Sequence, residues 1–163
     1  MKKVKPRLSQ EPWYATGLRF SCQPDCHKCC LREGIVELRE GEGEDRRLAE
    51  ALGLSLKAFR GKFTDKDDMN GRFMEDGPHG GCPLWRDGCR VYDVRPSQCR
   101  SYPFWPEILK SRRSWEKEGR FCPGIGTGRW YSRSEIAAIL AGEGEATAER
   151  KEGVKRRVVG GEE

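Results

Sequence analysis

The sequence contains no long apolar run. Apolar residues make up 36% of its 163 residues, and its mean hydropathy is -0.82. No segment approaches the roughly 20 apolar residues that a membrane-spanning helix needs. The basic N-terminal residues 1–7 are not followed by the apolar stretch of a secretory signal. We therefore expect a small cytoplasmic protein with a modest core, in which something besides burial helps to hold the fold.

Histidine is scarce, and no familiar catalytic set is visible. There are two histidines, His27 and His79, and no Ser-His-Asp set or pair of carboxylates stands out. The glycine-rich segment 124–128 lacks the preceding strand and the lysine of a phosphate-binding loop, so it predicts a plain turn. Sequence neighbours such as Cys26 and His27 rarely supply the geometry of a Cys-His catalytic pair. The sequence therefore predicts no catalytic residue.

Cysteine, in contrast, is abundant and clustered. Four of the eight cysteines lie within nine residues, and the other four follow in the second half of the chain. In a reducing compartment such clusters indicate metal binding rather than disulfides, and thiolates are ligands suited to zinc and iron–sulfur centres. With so many thiols, we interpret the two histidines as polar neighbours and not as ligands. The predicted metal ligands are Cys22, Cys26, Cys29, Cys30, Cys82, Cys89, Cys99 and Cys122.

The net charge fits the same interpretation. The chain has 31 Lys and Arg against 26 Asp and Glu, a formal net charge of +5. Eight thiolates holding two divalent centres would lower that net charge to about +1, so the basic excess balances bound thiolates. Arg95 and Arg100 flank Cys99 and are expected to stabilise an anionic site. We predict no nucleic-acid or membrane partner, because no nucleic-acid module is recognisable. A protein partner stays open.

Local patterns predict an α+β domain that is mostly helical, with short strands and long loops, stabilised by metal. Apolar spacing, caps and breakers define its elements. We expect short strands within 13–21 and at 35–38, helices at 44–53, 55–63 and 107–118, a loop over 64–81, and a last helix capped by Ser134. The domain boundaries follow: a flexible basic arm at 1–12, the metal-binding domain at 13–141, and a disordered charged tail at 142–163.

The two cysteine groups also stand in familiar surroundings. The first is Phe20-x-Cys22-x3-Cys26-x2-Cys29-Cys30. The second runs from Cys82-Pro83-Leu84 through Cys89-Arg90-Val91-Tyr92-x2-Arg95-Pro96-x2-Cys99-Arg100-x-Tyr102-Pro103. Over residues 18–140 the chain resembles the YkgJ-like cysteine-cluster family, whose members are described as zinc- or iron-chelating. The family usually has two residues between its first cysteines, where this chain has three. The resemblance implies metal chelation by these cysteines.

Two enzymatic alternatives come from resemblance. The family includes proteins similar to flagellin lysine N-methylases, which implies S-adenosylmethionine-dependent methylation of a protein lysine. Those proteins are longer, and carrying their activity over would be analogy of fold. Separately, the spacing from Cys22 to Cys29 resembles that of radical S-adenosylmethionine enzymes, in which three cysteines hold a 4Fe-4S cluster. This chain is too short for the barrel of roughly 200 residues or more that such chemistry uses.

The identity of the metal stays open between two hypotheses. We favour an iron–sulfur cluster, with a redox or sensing role, because the ligands are cysteines in two dense groups with aromatic residues around them. A structural zinc site that supports protein interaction has the same ligand set. In either case we expect three ligands from the group Cys22, Cys26, Cys29 and Cys30, and at least one from Cys82, Cys89, Cys99 and Cys122.

Overall fold

Two small antiparallel sheets and six α-helices make up the part of the chain that the computed structural model describes, residues 11–23, 25–78 and 80–146. The strands are β1 (Leu18–Phe20), β2 (Val36–Leu38), β3 (Asp65–Asp67), β4 (Gly71–Met74) and β5 (Ile125–Tyr131). The helices are α1 (Glu44–Ala51), α2 (Leu56–Phe63), α3 (Ser97–Ser101), α4 (Pro106–Leu109), α5 (Arg112–Gly119) and α6 (Arg133–Leu140). The predicted fold class, a small α+β domain, is confirmed. None of the helices in these ranges is long and apolar enough to cross a bilayer.

The two sheets bring distant segments together. Strand β1 pairs with β5, with Leu18 opposite Tyr131, and the register shifts between Arg19 and Phe20. The second sheet has the order β2-β4-β3, with Val36 opposite Met74. The first sheet therefore joins the N-terminal segment to the C-terminal third, and the second sheet organises the middle of the chain.

The prediction of a loop over 64–81 is wrong. The segment contains the hairpin β3–β4, whose turn is closed by Asp67 Oδ1 accepting hydrogen bonds from the backbone N–H groups of Met69 (2.9 Å) and Asn70 (2.5 Å). Strand β3 is exposed along its length, so it lacks the alternation of apolar residues by which strands are recognised. Its partner β4 contributes Phe73 and Met74 to the buried interior.

Serine side chains begin three of the helices. Ser55 accepts a hydrogen bond from the Ala58 N–H, as its predicted capping role requires. The prediction of a single helix over 107–118 is wrong, because the segment forms two helices separated where Ser111 caps α5. The last helix is capped by Ser132 and not by Ser134. Ser132 forms a capping box with Glu135. The capping box provides hydrogen-bond acceptors for two backbone N–H groups that have no partner within the helix.

The predicted plain turn at 124–128 is also wrong for most of its length. Residues 125–131 form β5. Glycine is rare in strands, but Gly128 has φ +68° and a Cβ there would collide with the side chain of Ser21. The close approach of Ser21 to this strand requires glycine. This contact explains why a glycine-rich segment, whose composition does not predict a strand, forms one.

Two clusters of buried side chains form the interior. The first is built on Phe20, Tyr102, Phe104, Ile108, Leu109, Trp115, Tyr131, Ile136, Ile139 and Ala146. The second is built on Leu38, Leu48, Ala49, Phe59, Met74, Leu84 and Val91. Cys22 and Cys122 pack against the first cluster, and Cys82 and Cys89 pack against the second. The cysteines therefore contribute to both clusters.

The C-terminal end of the described chain packs against the body. Ala146 is 4% exposed, and its N–H donates to the carbonyl oxygen of Arg100 over 2.8 Å. Glu145 forms an ion pair with Arg100. Ordered packing thus continues past the predicted boundary at 141. The rest of the predicted tail, 147–163, and residues 1–10 of the predicted arm lie outside the described residues.

Candidate metal centre

The two cysteine groups meet through their backbones. The N–H of Cys82 donates to the carbonyl oxygen of Cys30 over 2.7 Å. Gly81, which has φ +70°, lies so close that a Cβ would collide with the Cys30 carbonyl oxygen and the Leu31 Cα. Glycine is needed here for both its backbone conformation and its lack of a side chain. This contact anchors the start of the second group to the end of the first.

The first group lies on a loop followed by one turn of 3₁₀ helix. The loop turns at Asp25, which has φ +58°, and the Cys26 N–H donates to the Gln23 carbonyl oxygen over 3.3 Å. The 3₁₀ helix spans Lys28–Leu31. The irregular loop is followed directly by a turn of helix. The side chains of cysteines that are close in sequence therefore leave the backbone in different directions.

The second group is held by a tight loop and two helices. Trp85 and Cys89 form an isolated antiparallel bridge, and the Trp85 N–H donates to the Cys82 carbonyl oxygen over 3.1 Å. These bonds hold Cys82 and Cys89 on one small loop. Cys99 lies within α3, and Cys122 follows α5, where its N–H donates to the Glu118 carbonyl oxygen over 2.8 Å.

One thiol, that of Cys30, lies between thiols of both groups. Its one S–H group can donate to the sulfur atom of Cys29 or to that of Cys89, and this hydrogen bonding raises its pKa well above the usual range. The same hydrogen bond lowers the pKa of Cys29 to about 6, with the positive charge of Arg95 as a further cause. The pKa of Cys89 is lowered to about 7, again chiefly by the hydrogen bond from Cys30. Cys30 thus couples the titration of thiols in the two groups.

The remaining thiols lie close enough to influence each other. Burial raises the pKa of Cys22, and the charge of Cys29 raises it further. Burial also raises the pKa of Cys99, to which Cys82 adds. Burial is the first cause of the raised pKa of Cys82 and Cys122 as well. The charge of Cys26 is a further cause of the raised pKa of Cys22 and Cys122. Charge interactions between thiols thus connect the eight predicted ligands of the two groups.

The guanidinium group of Arg95 faces this region. After the hydrogen bond from Cys30, its positive charge contributes to the lowered pKa of Cys29 and Cys89, and it opposes the burial that raises the pKa of Cys22 and Cys99. The Arg95 side chain is fixed by Tyr92, whose carbonyl oxygen accepts from Nε at 3.0 Å and whose ring centroid lies 3.9 Å from the guanidinium carbon. Arg100, which the sequence also assigned to the site, instead pairs with Glu145 through Nη1 at 2.5 Å.

Comparison with protein-family models identifies the family of this chain. The model of the family CxxCxxCC, described as "Putative zinc- or iron-chelating domain", matches residues 21–123. The chain belongs to the CxxCxxCC family. The match includes all eight cysteines and confirms the resemblance on which the expectation of metal binding partly rested. No solved structure matches the chain.

The donor set of this CxxCxxCC domain fits a zinc or iron centre. All eight cysteines are free thiols, and only Cys29 is exposed. In the described ranges no three Cys, His, Asp or Glu side chains are already arranged as a metal site. The same thiols nevertheless interact with each other across both groups. In addition, the indole N–H of Trp85 is buried without a hydrogen-bond partner in the described part of the chain, as expected of a donor whose acceptor is a bound group.

A polar network that the sequence did not predict approaches Cys122. The hydroxyl group of Tyr102 donates to Glu118 Oε1 over 2.7 Å, and the same oxygen accepts from Arg32 Nη2 over 2.7 Å. The Cys122 thiol also interacts with the Tyr102 hydroxyl group: burial is the chief cause of its raised pKa, and the interaction with Tyr102 opposes that effect. Burial and the bond to Glu118 raise the pKa of Tyr102 itself. The sequence does not predict this network, because its residues come from three segments that are far apart in the chain.

Of the two histidines, His27 is within the described residues. His27 begins the 3₁₀ helix, and its carbonyl oxygen accepts from the Cys30 N–H over 3.0 Å. Its ring packs at a tilt against Trp85, with ring centroids 6.4 Å apart. His27 therefore lies beside the cysteines, and its predicted role as a neighbour and not a ligand stays a prediction. His79 lies outside the described residues.

Proposed function

We propose that the chain binds an iron–sulfur cluster through its clustered cysteines and serves in redox chemistry or sensing. The observation that carries the proposal is the meeting of two cysteine groups, all free thiols, in one region. Packing alone does not require eight thiols to come together without disulfides, since an isolated buried cysteine behaves as a small apolar residue. Membership of a zinc- or iron-chelating family supports the same class of ligand.

The ligands proposed are the eight cysteines predicted from the sequence, and their position explains why they are spread over the chain. Cys22 and Cys122 pack against one buried cluster, and Cys82 and Cys89 pack against the other. A centre that takes thiolates from both groups would link the two clusters, so metal binding would contribute to folding. Side-chain rotation on binding would complete the coordination geometry. The cluster would supply electron storage at this position.

The electrostatics support an anionic centre. Four thiolates around a divalent core leave a net charge of −2, which is costly to bury without compensation. Arg95 supplies a fixed positive charge beside thiols of both groups, held in place by Tyr92. Arginine is suited to this position because it stays charged and stacks on aromatic rings.

Zinc is the alternative, and it has a structural argument of its own. A four-cysteine zinc site would also join the two buried clusters, and it would need no electron transfer. The chain would then be a structural module whose surface meets a protein partner. Iron–sulfur binding is preferred because the aromatic rings of Trp85 and Tyr92 lie among the residues that support the cysteines, where they would limit the access of water and oxygen to a cluster.

The experiment is to measure iron, zinc and acid-labile sulfide in protein purified without oxygen, with a visible absorption spectrum of the same sample. Iron with matching sulfide and visible absorbance is the expected result. A Cys89→Ser variant is the control and should lose most of the bound metal. Stoichiometric zinc without sulfide would replace the iron–sulfur proposal with the structural one. Absence of both metals would contradict metal binding altogether.

A further inference from the structure

We propose that the indole N–H of Trp85 donates a hydrogen bond to a sulfur atom of the bound metal centre, which makes Trp85 a positioning residue for that centre. The inference rests on the proposed function. It starts from one observation: Nε1 of Trp85 is buried and has no hydrogen-bond partner in the described ranges. Indole nitrogen can only donate, so its partner must be an acceptor, and buried donors in folded proteins nearly always have one.

Two of the other four tryptophans of this chain donate the indole N–H to a backbone carbonyl group. Trp13 Nε1 donates to the Leu109 carbonyl oxygen over 2.6 Å. Trp105 Nε1 donates to the Gln98 carbonyl oxygen over 3.0 Å. Both indoles are satisfied by the backbone of a neighbouring helix. Trp85 differs from them, and it is the one of the three that lies in the second cysteine group.

The position of Trp85 indicates what kind of atom accepts the hydrogen bond from its indole N–H. Its backbone is bonded to Cys82 and bridged with Cys89, so the residue lies on the loop that carries these two thiols. On its other side the ring packs against His27, which begins the 3₁₀ helix of the first group. The indole is therefore placed between the two groups. The acceptors that a metal centre would add there are thiolate or sulfide sulfur atoms, whose negative charge strengthens the hydrogen bond.

Such a bond has a definite consequence for the centre. An N–H group directed at a metal-bound sulfur withdraws charge from it, which stabilises the bound form and, for an iron–sulfur cluster, raises the reduction potential. The bond also fixes the orientation of the sulfur relative to the ring. Removing the N–H while keeping the ring should therefore weaken metal retention and change the spectrum without unfolding the protein.

The test compares the full-length wild-type chain with two variants that lack the N–H. One is Trp85→Phe. The other carries 3-benzothienylalanine at position 85, which keeps the size and shape of the indole ring and therefore remains informative if the smaller phenylalanine impairs folding. Each protein is loaded with Co²⁺ and, in parallel, reconstituted with iron and sulfide. Trp13→Phe is the matched control, because it removes an indole that donates to a backbone carbonyl.

The measurements are the energy of the sulfur-to-metal absorption band and the rate of metal removal by a chelator. Without the N–H, the sulfur keeps more charge, so the band should move to lower energy and metal should leave on the order of tenfold faster. Trp13→Phe should change neither quantity. If wild type shows no such band with either metal, the proposed function fails and this inference with it. If wild type shows the band and the benzothienylalanine protein is identical to it, the inference alone is wrong.

Discussion

The backbone N–H of Cys82 donates to the carbonyl oxygen of Cys30 over a distance of 2.7 Å. This one bond joins the last cysteine of the first group to the first cysteine of the second. The Cys30 thiol continues the connection, because it interacts with the thiols of Cys29 and Cys89. If a metal centre takes thiolates from both groups, changes at this contact should affect metal content.

The first prediction uses the glycine beside this bond. Gly81→Ala places a Cβ against the Cys30 carbonyl oxygen and the Leu31 Cα, at a residue with φ +70°. Gly80→Ala is a close control, since Gly80 has φ +73° and nothing within 4 Å of an added Cβ. Both variants carry the backbone strain of alanine in this conformation, about 1 kcal/mol.

Gly81→Ala should be destabilised by about 1–3 kcal/mol more than Gly80→Ala, because the collision is with backbone atoms that cannot rotate away. It should also retain less metal. Urea unfolding and metal analysis of both variants provide the measurement. Equal stability and equal metal content in the two variants would show that the close contact between the groups is unimportant.

The second prediction concerns Cys99, whose thiol is buried and interacts with Cys82 and Cys89. Cys99→Ala should lower metal content and the melting temperature together, because loss of a ligand loses folding free energy as well. After metal is removed by a chelator, the variant should differ from wild type by only about 1 kcal/mol, the cost of a small buried change. Full metal occupancy with unchanged melting would exclude Cys99 as a ligand.

The third prediction separates two hydrogen bonds of Tyr102. Tyr102→Phe removes the bond to Glu118 and the bond to Cys122, whereas Glu118→Gln weakens the first and leaves the second. If the hydroxyl group acts on the centre through Cys122, metal loss to a chelator should be several-fold faster in Tyr102→Phe and near the wild-type rate in Glu118→Gln. The same rate in both variants would mean that the pair with Glu118 is the important one.

The fourth prediction is a pH dependence that does not involve the cysteines. The pKa of Glu40 is lowered to about 2, first by the hydrogen bond from Arg72 and then by that from Lys66, each 2.9 Å long. In the unfolded chain this carboxyl group titrates near 4.5. Because the folded pKa is the lower one, Glu40 contributes stability above pH 4.5, and the contribution is lost as the pH falls from about 4.5 toward 2.

Glu40→Gln lacks this contribution at every pH. The difference in unfolding free energy between wild type and Glu40→Gln should therefore be largest near pH 6 and shrink below about pH 4.5. Comparing the two proteins cancels any metal loss that acid causes in both. Glu42→Gln, at an exposed pair with Arg39, is the control for removing a charge from the same segment. A difference that stays constant from about pH 6 to about pH 3 would refute the assignment.

The parts of the fold that the sequence predicted well are those governed by local chemistry. Ser55 precedes an amphipathic segment and caps α2 as expected. The parts that it did not predict depend on tertiary contacts. Strand β3 is exposed and charged and exists because it pairs with β4. The glycines of β5 lie in a strand because Ser21 packs against Gly128. Neither contact leaves a periodic signal.

The candidate site divides in the same way. The cysteines are recognisable from their spacing, since packing alone rarely calls for thiols at such density. Their supporting residues were only partly predicted: Arg95 faces the thiols as expected, whereas Arg100 pairs with Glu145. Glu118 was not predicted at all, because its relation to Cys122 runs through Tyr102 and a helix turn that only the folded chain assembles.

The most direct test of the central claim is to map which cysteines a bound metal protects from alkylation. Protein purified without oxygen is treated with a maleimide, with and without a chelator, and the modified residues are identified by mass spectrometry. We predict that cysteines of both groups, including Cys26, Cys89 and Cys99, are protected while metal is bound and become reactive together when it is removed. Protection confined to one group, or equal reactivity with and without the chelator, would contradict a centre shared by the two groups.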